Sequence, residues 1–90
     1  MAETAANPAA PVAQVRELLT ETLGLGARGA TLTAASPLLG ALPELDSMAV
    51  ATVLTALEER FGILIDDDDV SAETFETLGD LAALVARKTA

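Results

Sequence analysis

Apolar positions recur at helical spacing in three stretches of the chain. Val12, Val15, Leu19 and Leu23 fall near i, i+3, i+7 and i+11, one stripe along one helix face. Val50, Val53, Leu54, Leu57 and Phe61 repeat the pattern more strictly, at i, i+3, i+4, i+7 and i+11. Leu78, Leu81, Ala82 and Val85 share a third face. Residues 1–10 have no periodic pattern and hold Asn7 and Pro8, so a flexible N-terminal tail is expected there, followed by one folded domain over 11–90.

Polar and special residues punctuate these stretches. Pro11 suits a first helical turn, and Gly24 and Gly26 stop the first helix near Leu25. Asp46 stands directly before the second helix, Ser47–Phe61, and Gly62 directly after it. A carboxylate at the Asp46 position accepts bonds from the first unpaired N–H groups and meets the positive end of the helix dipole, typically worth ~1 kcal/mol. Thr77 and Asp80 have the spacing of a capping box for the last helix, and Arg87 and Lys88 near its end complement its dipole.

Between the first two helices, Ala27–Leu45 carries Gly29, Pro37, Gly40 and Pro43, which oppose continuous helix. Its Leu32, Leu38, Leu39, Leu42 and Leu45 predict a connection that lies on the helices and buries those leucines. Ser36-Pro37 has the pattern of a short helical turn. Ile63-Leu64-Ile65 has no partner strand and reads as a buried loop, while Ser71–Glu76 allows a short helical turn with Phe75 inward. The expected fold is all-α: a bundle of three longer helices plus one short helix, with a long apolar loop between helices 1 and 2.

Composition then removes function classes. Ninety residues make one small domain, and Phe61 and Phe75 are its only aromatics, so the core is aliphatic. Fourteen acidic residues against five basic ones give a net charge of −9, which argues against nucleic acid and anionic membrane as partners. The chain has no cysteine and no histidine. It therefore lacks a thiol nucleophile, the commonest general base and the commonest zinc ligands, which argues against an enzyme. Met1–Pro11 lacks the basic start of an export signal, and the longest apolar runs are too short to span a bilayer; a cytoplasmic monomer is expected. Asp66–Asp69 lacks the alternation, central glycine and distal glutamate of a calcium loop and reads as a solvated run, so no metal site is assigned.

One hydroxyl stands out once the helices are placed. Leu45-Asp46-Ser47-Met48 opens the most regular helix, and Ala56-Leu57-Glu58-Glu59-Arg60-Phe61-Gly62-Ile63 closes it, with Phe61 fourteen residues after Ser47. This pattern resembles the acyl carrier protein family, the phosphopantetheine-binding carrier domains, whose hallmark is Asp-Ser-Leu at a helix start; Met48 stands for the usual Leu. The resemblance covers about Pro11 to Lys88. It implies an acyl-carrier-like bundle that bears 4′-phosphopantetheine covalently on Ser47 and carries acyl intermediates as thioesters in fatty-acid, polyketide or specialised acyl pathways. A helix N-terminus tolerates the anionic phosphate of such an arm, and the absent cysteine is consistent with a thiol that the arm supplies.

The resemblance further implies a phosphopantetheinyl transferase as a partner, with Asp46 helping to hold that enzyme's magnesium ion. It also implies acyl-activating ligase, ketosynthase or acyltransferase type enzymes that meet the helix starting at Ser47, and an acyl chain that slips between helices near Phe61 and Phe75. The chain departs from fatty-acid carriers in one respect. Met48, Ala49, Ala51, Thr52 and Thr55 are neutral where acids are usual, so this face is expected to dock by apolar and polar contact, with enzymes of a dedicated pathway. Two other readings compete: an aminoacyl or peptidyl carrier, whose usual Gly-Gly/His-Ser signature is missing here, and an acidic helical interaction module in which Ser47 is only a cap.

Overall fold

The computed structural model describes residues 9–89. Three α-helices, α1 (Ala9–Leu23), α2 (Ser47–Phe61) and α3 (Leu78–Thr89), alternate with three short 3-10 segments, Gly26–Thr31, Asp67–Asp69 and Ala72–Phe75. Helix α1 packs against both α2 and α3, which touch each other less. The order is that of the expected helical bundle, with the short helix at Ala72–Phe75.

Helix α1 begins at Ala9, two residues before Pro11. Pro11 is still within the first turn, whose N–H groups have no intrahelical acceptor, so its missing donor costs no bond. The rest of the expected tail, residues 1–8, lies outside the described residues. Helix α2 occupies the expected span, because both ends are chemically marked. Asp46 caps its start, and Gly62 adopts a left-handed φ of 65° at its end, where a side chain would be strained. Ile63 N–H then donates back to Glu58 C=O at 3.1 Å, closing the last turn.

The core is aliphatic. Val15 and Leu19 of α1, Val53 and Leu57 of α2, and Leu78, Leu81 and Leu84 of α3 are all fully buried. Phe75 joins them, while Val12, Leu23, Val50, Leu54 and Phe61 pack against the edge of the core, partly covered. Leu18, beside the Val12–Leu23 stripe, is buried as well, which widens the inward face of α1.

The connection between α1 and α2 is more ordered than its glycines and prolines imply. It starts with the 3-10 segment Gly26–Thr31, not anticipated from the sequence. Ser36-Pro37, by contrast, makes no helical turn: Pro37 sits in an isolated antiparallel bridge with Thr77. Leu38 N–H donates to Glu76 C=O at 3.0 Å, and Leu78 N–H to Ser36 C=O at 3.0 Å, which fastens the connection to the start of α3. Backbone pairing across 40 residues has no local signal, so it overrides the local cap-and-proline pattern. Leu32, Leu38 and Leu45 are buried as expected, and Leu42 packs on the core. Leu39 is 48% exposed. The loop after α2 is likewise only partly buried: Ile63 turns inward while Leu64 is exposed.

Candidate functional site

The start of α2 is built by two anchors. Leu45 is buried and holds the approach to the helix. Asp46 follows in an extended conformation, and its Oδ1 accepts the Ala49 N–H at 2.8 Å while its C=O accepts Val50 N–H at 2.9 Å. Ser47 is then the first helical residue, exposed, and Met48 beside it is 80% exposed. The N–H groups of Ser47 and Met48 have no intrahelical acceptor, and together with the dipole they favour an anion at this point.

Only three serines are present in the chain. Ser36 is half-buried, and its Oγ accepts Thr33 N–H at 2.8 Å. Ser71 is exposed but caps the four-residue 3-10 segment Ala72–Phe75. Ser47 alone combines exposure with the start of a full α-helix. These residues fit a covalently attached phosphate ester: Ser47 is exposed to solvent, the helix start is positive, and Asp46 and Met48 on either side are exposed as well.

The surroundings carry less free charge than the overall −9 implies. Glu44, two residues before the cap, pairs with Arg28 of the Gly26–Thr31 segment. The Arg28 hydrogen bond, helped by Glu44's own backbone N–H, holds this carboxyl below its usual value. Its second oxygen, Oε1, is buried with no partner among the described residues. Further along α2, Glu58 accepts Ile65 N–H at 2.8 Å and so locks the loop that follows. The outward surface between these acids holds Met48, Ala51, Thr52 and Thr55, and an open depression of about 370 Å³ is lined by Ala51, Thr52, Thr55, Ala56 and Glu59.

Asp66–Asp69 follows the opposite end of α2 and is not part of this site. The run folds into a 3-10 turn in which Asp66 N–H donates to Asp69 Oδ2 at 2.9 Å. Lys88 of α3 meets the same Asp69 oxygen at 2.9 Å. That bond lowers the Asp69 pKa and raises that of Lys88. Lys88 thus binds an acid as well as lying at the helix end. The Arg28–Glu44 pair joins residues 16 apart across a loop, a spacing with no sequence signature. The scarcity of cations was its one hint, since Arg28, Arg60 and Lys88 each meet an acid.

Comparison with known proteins agrees with the geometry. The family model described as the phosphopantetheine attachment site matches residues 13–85. A holo acyl carrier protein from Nitrosomonas europaea, solved by solution NMR, is 58% identical, with a TM-score of 0.81 over 86% of this chain and 93% of that one. No curated protein matches the chain. The chain therefore belongs to the phosphopantetheine-binding acyl carrier proteins. It is a carrier and not a catalyst, and its cofactor is a covalently attached 4′-phosphopantetheine. A carrier domain of this kind interacts with a phosphopantetheinyl transferase and with acyl-handling enzymes. Among the described residues, no helix is long and apolar enough to cross a membrane.

Proposed function

We propose that Ser47 is the residue that bears the arm. The observation that carries this reading is its exposed hydroxyl at the first position of α2, directly after a cap that Asp46 completes. When bound, 4′-phosphopantetheine supplies the thiol that this cysteine-free chain lacks, and acyl cargo rides on it as a thioester. The chain's own residues divide the remaining work. Ser47 Oγ provides the ester oxygen, and the N–H groups at the helix start stabilise the phosphate charge. Asp46 orients the first turn with one carboxylate oxygen and leaves the other for the transferase's magnesium ion. Incubating the apo chain with coenzyme A and a broad-specificity transferase is expected to add one phosphopantetheine group by intact mass, and Ser47→Ala to add none. An arm on Ser47→Ala contradicts the assignment.

The partners that fit this surface are enzymes of a dedicated acyl pathway, such as an acyl-activating ligase, ketosynthase or acyltransferase, met by a cytoplasmic monomer. Two features support a low-charge docking face. Arg28 neutralises Glu44, and the two turns after Asp46 are neutral. Encounter driven by charge falls steeply as ionic strength rises, whereas apolar contact does not. Acyl transfer with the native partner is therefore expected to change less than about twofold between low and physiological salt. A steep loss would show that the distant acids steer docking after all.

A further inference from the structure

The Arg28–Glu44 pair has a placement that its stability contribution does not explain. Arg28 keeps 55% of its side-chain surface exposed, and Glu44 30%. Pairs this accessible add little to folding. Yet the pair closes the long connection at its most consequential point, between a segment fixed on α1 and the residue two before the α2 cap.

The Arg28 side of the pair is rigidly seated. Gly29 is buried and so close to α1 that a Cβ there would lie 2.0 Å from Thr20 Oγ1. Arg16 of α1 donates to Leu32 C=O at 3.3 Å just beyond, and Arg28 C=O accepts the Thr31 hydroxyl at 2.7 Å. The guanidinium is thus presented from a 3-10 segment locked onto α1.

The Glu44 side is less well supported. Pro43 before it is exposed and has no N–H to give, and Leu45 N–H donates to Leu42 C=O at 3.0 Å within the same loop. Among the described residues, Glu44 Oε1 is shielded from solvent without a donor, and Arg28 is the cation that pairs with this carboxylate. Removing Arg28 leaves the carboxylate without its cation, and the side chain, already partly exposed, turns further toward water. Glu44 is bonded directly to Leu45, and Leu45 to Asp46, so such a movement reaches the cap and then Ser47.

We propose that Arg28 and Glu44 form a clasp that positions the start of α2 for arm attachment, each acting on Ser47 through the Leu45-Asp46 segment. They are positioning residues, since neither touches the reacting hydroxyl. The inference rests on the reading of Ser47 as the attachment point.

The test is the rate at which a broad-specificity phosphopantetheinyl transferase loads the full apo chain from coenzyme A. Arg28→Met and Glu44→Gln are each expected to lower kcat/KM about fivefold, and the double variant no further than the worse single one. The exchange of both charges, Arg28→Glu with Glu44→Arg, is expected to restore at least half the wild-type rate. Simple charge attraction to a basic transferase predicts something different. There, Arg28→Met would speed loading by making the carrier more acidic, while Glu44→Gln would slow it. Amide exchange at Ala49 and Val50, the first N–H groups held by Asp46, is expected to quicken in both single variants while the melting temperature stays within a few degrees. Wild-type loading by both single variants, or opposite effects of the two, would overturn the clasp. Loading of Ser47→Ala would overturn the attachment reading and the clasp with it, whereas a dead Ser47→Ala beside unaffected clasp variants overturns the clasp alone.

Discussion

The two ends of α2 have the same helical backbone and opposite purposes. Its middle and C-terminal half bury Val53 and Leu57 completely, set Phe61 at the core edge and close on Gly62. Its start buries much less: Asp46, Ser47 and Met48 are all exposed, and Ala49 and Val50 are only partly covered where they pack on the core. One end contributes stability through apolar area, and the other offers a hydroxyl, a cap and a positive dipole to a partner. Stability and chemistry can therefore be perturbed separately on a single helix, which is what a carrier needs. Its chemistry must be presented to several enzymes without loosening the bundle.

Substitutions at the two ends sharpen or break this division. The largest effect is expected for Leu57→Ala, a fully buried side chain whose loss leaves a cavity in a small core and costs about 2–5 kcal/mol. Chemical denaturation measures it, and the folded fraction should still accept the arm. Phe61→Ala is expected to cost roughly half as much, because Phe61 is only partly covered. A larger loss than at Leu57 would mean that Phe61 is more central than its exposure implies. Asp46→Ala crosses the division. It removes the Ala49 N–H acceptor, costs about 1 kcal/mol and also slows arm attachment, whereas Asp46→Asn should retain most of the stability.

The smallest effect is the pH dependence of the paired acids. The folded-state pKa values of Glu44 and Asp69 lie below their ordinary values of 4.5 and 3.8. Their contribution is therefore complete above those values and lost as pH falls through the lower folded ones. Lys88 is raised above its ordinary 10.5, so its contribution is complete below that value and disappears as pH rises through the folded one. A melting temperature that is flat between these ranges and declines outside them is expected. Lys88→Met should remove most of the alkaline decline that belongs to this pair, and an unchanged alkaline limb would assign it to other groups.

Local chemistry explains how much could be read in advance. Helix α2 was legible to the residue because a capping carboxylate and a left-handed glycine mark its two ends, and its apolar period is strict. Thr77 and Asp80 likewise open α3, with Asp80 N–H donating to Thr77 Oγ1 at 3.1 Å. The proposal of Ser47 as the attachment point rests on Asp-Ser-Met falling where a helix begins. The connection from residue 24 to 46 was legible only as buried leucines. Its 3-10 segment, the bridge between Pro37 and Thr77 and the Arg28–Glu44 pair arise from contacts between distant parts of the chain. Nothing in the local pattern distinguishes Leu38, which is buried, from Leu39, which is 48% exposed; the backbone bonds to Glu76 and Phe75 decide which of the two turns inward.

The most direct measurement is peptide-level mass spectrometry of the chain purified from its native host. The expected result is a phosphopantetheine ester confined to the fragment that contains Ser47. An arm on the Ser36 or Ser71 fragment, or a chain that stays bare beside a modified control carrier, would contradict the account.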